Sequence, residues 1–406
     1  MSGHLLKMIW ARRRANALVA AEILVSFGVL LAVTTLGLFY LDNYRQPVGF
    51  DYRDVWRLEM NPGQGEEDGR AIDERRAGEI ETLRQLRLAL GSTPGVLGTA
   101  IVTPSPFSQG GWTRGYDRQG RRVQYSTAGA SDELAAVLGL TVTRGRFFSR
   151  DDDAAAWQPV VINERLARDL FGAGDPLGQN ISGDRDPQGE PEIERRVVGV
   201  VEAYRQEGEF DPPGNYVLER HRPDNPKERF RGDLLVRVAP GSTAELEERL
   251  VKTARAVAPG WSVRLEPLEA ARQRNARMYL APVMIVGLVA GFLALMVALG
   301  LTGVLWLGVT RRTREIGLRR AKGAAAADIR FQVLGEILVL ATLSLLPGVL
   351  LALQLPLLGA LPVRGAVFAA SLAISVAGIY LLAVLCGWYP ARLATRVEPA
   401  EALHYE

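Results

Sequence analysis

Apolar positions in this chain are grouped rather than spread. Four runs, Leu18–Leu41, Pro282–Thr310, Val333–Leu355 and Val367–Cys386, are almost purely apolar. Each supplies about 20 or more such residues, enough for a helix to cross a hydrocarbon core of roughly 30 Å. Short of a closed barrel, only helices satisfy their own backbone groups there, so each run predicts a transmembrane helix. Buried core helices of a soluble protein fit poorly, because three of the runs are crowded together.

Between the first two runs the pattern changes. Val55–Met60, Val96–Thr103, Val123–Ala128, Pro159–Asn163, Val197–Tyr204 and Leu234–Val238 are short and rich in branched residues, and they predict strands. Asp73–Leu90 places Ile80, Leu83 and Leu90 at helical spacing and stops at Gly91. Glu164–Phe171 predicts a shorter helix with Asn163 as its N-cap. Ser242 and Glu245 predict a capping box ahead of Leu246, Leu250 and Val251. The polar Gly/Pro-rich stretches Pro104–Gly120, Ile181–Pro191 and Gln206–Asn215 predict loops. The expected fold class is a membrane protein: four transmembrane α-helices plus a large extracytoplasmic α+β domain, in two lobes, inserted between helices 1 and 2.

Charge orients this arrangement. The 406 residues carry a formal net charge of +3, with 48% hydrophobic and 23% charged positions, and the cations are unevenly placed. The loop after the second run holds Arg311, Arg312, Arg314, Arg319, Arg320, Lys322 and Arg330, whereas the turn between the third and fourth holds only Arg364. The positive-inside rule then puts both termini in the cytoplasm and 42–281 outside. The expected division is 1–17 basic cytoplasmic segment, 18–41 first span, 42–281 outer domain, 282–310 second span, 311–332 cytoplasmic loop, 333–355 third span, 356–366 external turn, 367–386 fourth span and 387–406 cytoplasmic tail. The first run is too long for a signal peptide and no A-x-A-like site follows it, so a signal anchor is expected.

Candidate chemistry is sparse. Cys386 stands alone, and His4, His221 and His404 are scattered without metal-site spacing. Asp151, Asp152 and Asp153 suggest a cation site, but such triplets are more often solvated loops. Trp112 and Tyr116, in the glycine-containing loop Gln109–Gly120, are candidates for gripping a partner or substrate. Leu268–Tyr279, with Arg272, Arg274 and Arg277, runs without Pro or Gly into Pro282 and predicts a stiff stalk. Gly287, Gly291, Gly300 and Gly303 give the second span a small-residue character suited to packing against another helix, a dimer mate included. Glu22 reads either as a buried polar contact or as an interfacial residue reaching towards water. Pro347 and Gly348 predict a kink in the third span.

The densest signal is Arg311–Glu336, RRTREIGLRRAKGAAAADIRFQVLGE, a cationic block wedged between two spans. Basic residues there read as anchoring to anionic lipid headgroups, at about 1 kcal/mol each, or as docking for a soluble partner. A helix start is expected near Asp328. The order R-x-x-E-I-G-L-R-R-A-x-G-A, followed by Ile329, Gln332 and Glu336, resembles the cytoplasmic loop of MacB/FtsX-type ABC transporter permeases. The tail YPARLATRVEPAEALHYE and the outer segments TVTRGRFFSRDDD, VVINERLARDLFGAGDPLGQNI and VVGVVEAYR are similar to the same family, and GFDYRDV fits more loosely.

The resemblance implies a permease with a MacB-like periplasmic core domain, whose loop after the second span docks on an ATPase. The matching positions are Arg314, Glu315, Ile316, Gly317, Arg319 and Arg320. Glu315 and the arginines would make charge-assisted contacts, Ile316 would fill an apolar notch, and Gly317 would allow close backbone approach. No G-x-x-x-x-G-K-[ST] loop is present, and none of the four lysines follows a glycine. The chain is therefore expected to bind no cofactor itself and to catalyse nothing, with ATP and Mg held by two copies of a separate ABC ATPase.

Further expected partners are membrane lipids and a second permease, as a homodimer or a heterodimer. A periplasmic adaptor is left open, and no nucleic acid is expected. The expected location is the bacterial inner membrane. The expected activity is mechanotransmission, in which ATP hydrolysis moves the outer domain to export a substrate. The alternatives are an FtsX-like regulator of cell-wall hydrolases and an anchored binding or sensor module.

Overall fold

The computed structural model describes residues 13–62, 69–118, 121–182, 193–221, 232–310, 318, 325–361 and 363–394. The chain divides into two compact units, a head of Asn43–Met278 and a helical unit of Met1–Asp42 with Tyr279–Glu406. In chain order the elements are α1 (Arg13–Tyr44), β1 (Val55–Asn61), α2 (Gly69–Gly91), β2 (Val96–Thr103), β3 (Trp112–Arg118), β4 (Arg121–Ala130), α3 (Leu134–Leu138), β5 (Val142–Gly145), β6 (Gln158–Asn163), α4 (Glu164–Phe171), β7 (Arg195–Val201), β8 (Tyr216–Arg220), β9 (Asp233–Val238), α5 (Ala244–Val257), β10 (Ser262–Pro267), α6 (Leu268–Thr310), α7 (Ala326–Leu357) and α8 (Gly365–Ala394).

Among the described residues the ten strands make one sheet, ordered β10-β1-β9-β2-β4-β8-β6-β7-β5, with β3 paired to β4. The β4–β8 and β6–β7 pairs are parallel and the others antiparallel. Two helices cover one half. Leu83, Leu86 and Leu90 of α2, spaced for one helical face, and Leu246, Leu250 and Ala254 of α5 bury against Trp56, Leu58, Leu234 and Val236. Burying each such leucine contributes about 1.5–3 kcal/mol. On the other half α4 lays Leu166, Ala167 and Leu170 on Val160, Ile162, Val200 and Val217. A third cluster joins Phe50, Phe107, Leu134, Leu138, Tyr204 and Tyr216 to Leu268 and Ala271 at the start of α6. The chain's entry to the head and its exit thus share one core.

In the helical unit, Val19, Ile23, Phe27 and Leu31 recur every four residues on α1, and all are buried. They pack with Val297 and Leu301 of α6, Ile337, Ala341 and Leu345 of α7, and Ile379 and Ala383 of α8. Polar bonds reinforce the packing: Thr34 Oγ1 lies 2.8 Å from Ser375 Oγ, and Thr342 Oγ1 lies 2.9 Å from the Tyr380 hydroxyl. Such bonds matter because lipid supplies little apolar drive between helices. Four helices among the described residues are long and apolar enough to cross a membrane. In α6 only 6% of the apolar window is buried, against 28–33% in the others, so α6 is the least covered.

Several expectations need correction. Trp112–Arg118 is strand β3, not part of a loop, because it pairs in register with Arg121–Thr127. The capping box at Ser242 does not form. Thr243 precedes α5 as its N-cap with no side-chain cap bond, while Ser242 Oγ donates to Ala239 O at 2.6 Å. Asn163 does cap α4, accepting from the Leu166 amide at 3.1 Å. Asp328 sits in the first turn of α7, its carboxylate accepting from the Ala325 amide at 3.1 Å. Pro282 lies inside α6, so the stalk and the second span form one helix of 43 residues.

Candidate functional site

The expected stalk is fastened by its arginines. Arg274 forks onto Glu266 through two 2.8 Å bonds, which hold that carboxyl below the usual range. Arg272 pairs with Glu209 at 2.8 Å and with Glu269 at 3.1 Å, and its guanidinium lies 4.9 Å from the centre of the Tyr52 ring. Arg277 is exposed and has no ion pair among the described residues.

Glu209 belongs to a loop, 204–211, that overlaps the expected loop Gln206–Asn215. Arg205 is 4% exposed. Its guanidinium donates to Asn43 O and Gln46 O, both at 3.0 Å, to Glu209 O at 2.8 Å, and to Asp211 O. Asn43 lies in the last turn of α1, where carbonyls lack intrahelical partners and the helix dipole favours a cation. One buried cation therefore closes the end of α1 and shapes the loop.

Further bonds fix that loop on both sides. The Arg205 amide donates to Val48 O at 3.0 Å, and Asn43 Nδ2 donates to Phe210 O at 3.0 Å. From α6, Asn275 Nδ2 donates to Glu207 O at 2.5 Å. Gly208, at φ +91°, makes the turn possible, and a Cβ there would meet the Phe107 ring at 2.8 Å. Gln206 Nε2 donates to Ser108 O and Gly110 O while its Oε1 accepts from the Tyr216 hydroxyl at 2.6 Å. The end of α1 and the start of α6 are thus both bonded to the 204–211 loop and its neighbours. Nothing in the type of a single loop arginine marks it as this anchor, because its acceptors are backbone carbonyls, two of them about 160 positions away.

Other candidates fall in different places. Arg314, Glu315, Ile316, Gly317, Arg319 and Arg320 lie outside the described residues. Trp112 is 52% exposed at the start of β3, whereas Tyr116 packs beside the α4 core and donates its hydroxyl to Asn180 O at 3.3 Å. Around Gly287, Gly291 and Gly303 a Cβ would meet nothing within 4 Å among the described residues, so space is open on that side of α6. At Gly300 a Cβ would come within 2.6 Å of Glu22 Oε2, so the Glu22 carboxylate seats against the bare backbone of α6.

The acidic triplet is taken up by arginines and a cap. Asp152 binds Arg146 at 2.5 Å and accepts from the Ser149 amide at 3.0 Å, and Asp153 binds Arg220 at 2.6 Å. No group of three His, Cys, Asp or Glu suited to a metal occurs among the described residues.

Family comparisons agree with this layout. A model described as MacB-like periplasmic core domain matches residues 17–253, and one described as FtsX-like permease C-terminal matches residues 287–399. The chain is similar to the macrolide export ATP-binding/permease protein MacB of Agrobacterium fabrum, at 28% identity over 97% of this chain and 59% of the relative. It is also similar to the pyoverdine export ATP-binding/permease protein PvdT of Pseudomonas savastanoi pv. phaseolicola, at 28% identity over 84% of this chain and 50% of the relative. It spans between half and three-fifths of those relatives' lengths. Among solved structures, the periplasmic region of MacB from Actinobacillus actinomycetemcomitans aligns with 57% of this chain and 96% of its own, at 14% identity and a TM-score of 0.37.

Proposed function

Since the chain belongs to the family of FtsX-like permeases with a MacB-like periplasmic core domain, we propose that it is the membrane subunit of an ATP-driven ABC transporter of the mechanotransmission type. In this reading the termini and the 311–332 loop face the cytoplasm and the head faces outward from the inner membrane. Two copies, or one copy and a related permease, pair with two ATPase subunits that hold ATP and Mg. The chain itself carries no catalytic step. The barely covered α6, with open space beside Gly287, Gly291 and Gly303 among the described residues, suits packing against a second permease. The names of the relatives favour export of a small molecule.

The observation that carries the proposal is the junction around Arg205. A binding or sensor module needs only a tether to the membrane. Here both helices that enter the head end on one buried, charge-clamped turn, and α6 runs from that turn to Thr310 without a break. A rod anchored in this way carries force.

The drive would enter through the cytoplasmic loop. Exchanging the charges there, Glu315→Arg together with Arg319→Glu, is expected to cut partner-stimulated ATP hydrolysis at least about tenfold, since disrupting a desolvated charge pair costs on the order of 2–5 kcal/mol. Hydrolysis assayed on the reconstituted complex checks this, and unchanged stimulation would remove the docking assignment.

A further inference from the structure

A cavity of about 240 Å³ lies beside the junction turn, lined among others by Tyr204, Arg205, Gln206, Glu207, Asp211 and Tyr216. It is large enough for more than a single water. We propose that this cavity binds the ammonium group of a small alkylamine, with Glu207 and Asp211 as its counter-charges and Tyr204 and Tyr216 as its aromatic wall. The proposal is independent of the transport reading.

Three observations converge on it. Among the described residues, the half-buried Asp211 carboxylate has no hydrogen-bond or ion-pair partner. Burial first, and then the Glu207 carboxylate, push its pKa up to about 6, with Arg205 opposing. A carboxylate raised in this way gains from an incoming cation. The neighbouring Arg205 offsets only part of that rise, and its two terminal nitrogens donate to four backbone carbonyls rather than to the carboxylate.

Next, the Tyr204 hydroxyl is fully buried and has no hydrogen-bond partner, an arrangement that proteins generally avoid. Finally, the Tyr204 and Tyr216 rings stand edge to face with centroids 4.8 Å apart. Aromatic faces attract cations, and ring carbons suit an alkyl chain. The chemistry on offer is that of an amine rather than a metal: two carboxylates, two rings, a hydroxyl oxygen to accept from N–H, and no third acidic or histidine ligand.

The test is calorimetric titration of the full-length protein in detergent with n-butylammonium, using 1-butanol as the neutral isostere. The expected result is saturable binding at one site per chain, with a Kd of about a millimolar for so small a ligand. Asp211→Asn should weaken it about tenfold or more through loss of a charge-assisted bond. This variant removes an unpartnered charge, so its melting temperature should not fall, and Glu207→Gln gives an independent second reading. Tyr204→Phe should weaken binding several-fold. Absence of saturable binding, equal binding of 1-butanol, or unchanged affinity in both carboxylate variants would each overturn the proposal.

Discussion

Replacing Arg205 with methionine is expected to destabilise the head by about 3–5 kcal/mol, the usual cost of stripping one partner from a buried charged network. Methionine keeps much of the side chain's volume, so the loss reports the guanidinium rather than a void. Four carbonyls, those of Asn43, Gln46, Glu209 and Asp211, would lose their common donor. Arg205→Lys should fall between the two, because an ammonium has three donors and no planar fork to span four acceptors. Urea unfolding of the full-length chain gives the magnitude, and amide exchange should show the loss of protection concentrated at 43–48 and 205–211. If the variant unfolds at the wild-type midpoint, the turn is not held by Arg205.

The second large effect is expected at Gly49, where the chain enters the head. Its φ of +90° is a conformation that side chains rarely adopt, and a Cβ there would lie 2.1 Å from the Ala203 carbonyl oxygen. Both partners in that clash are backbone, so no rotamer change relieves it. Gly49→Ala is expected to cost about 3 kcal/mol or more, combining left-handed strain with displacement of the segment that Arg205 clamps. Gly78→Ala makes the internal comparison: it sits in α2 with nothing within 4 Å of its would-be Cβ. That change should stabilise by about 0.5–1 kcal/mol, as alanine exceeds glycine in helix interiors. Equal melting temperatures for the two variants would contradict this packing.

These two positions mark where reading the residues ends. Membrane helices announce themselves by composition, and amphipathic or buried periods reveal strands such as Val96–Thr103 and the helix at Gly69–Gly91. The capped start of α4 is equally legible, because an asparagine before an apolar period has a local meaning. Strands β3, β5, β8 and β10 were not: β3 is largely polar, and β5, β8 and β10 are short and formed by pairing with partners far along the chain. The stalk arginines could be seen as a cluster, but their acceptors Glu209 and Glu266 could not. Arg205 and the cavity beside it escape for the same reason. Their meaning comes from what the fold brings to them, chiefly backbone carbonyls, and carbonyls leave no mark in a sequence.

The central claim is that nucleotide-driven motion of the spans is passed through the junction into the head. Paired spin labels test it directly. With Cys386→Ala as background, labels at Arg249→Cys on the exposed side of α5 and Leu353→Cys on α7 report the distance between head and span. Measured by pulsed dipolar spectroscopy in the membrane-reconstituted complex with its ATPase, the distance distribution should shift between the nucleotide-free and ATP-trapped states, and Arg205→Met should blunt that shift. A wild-type distribution that is the same in every nucleotide state would contradict the account.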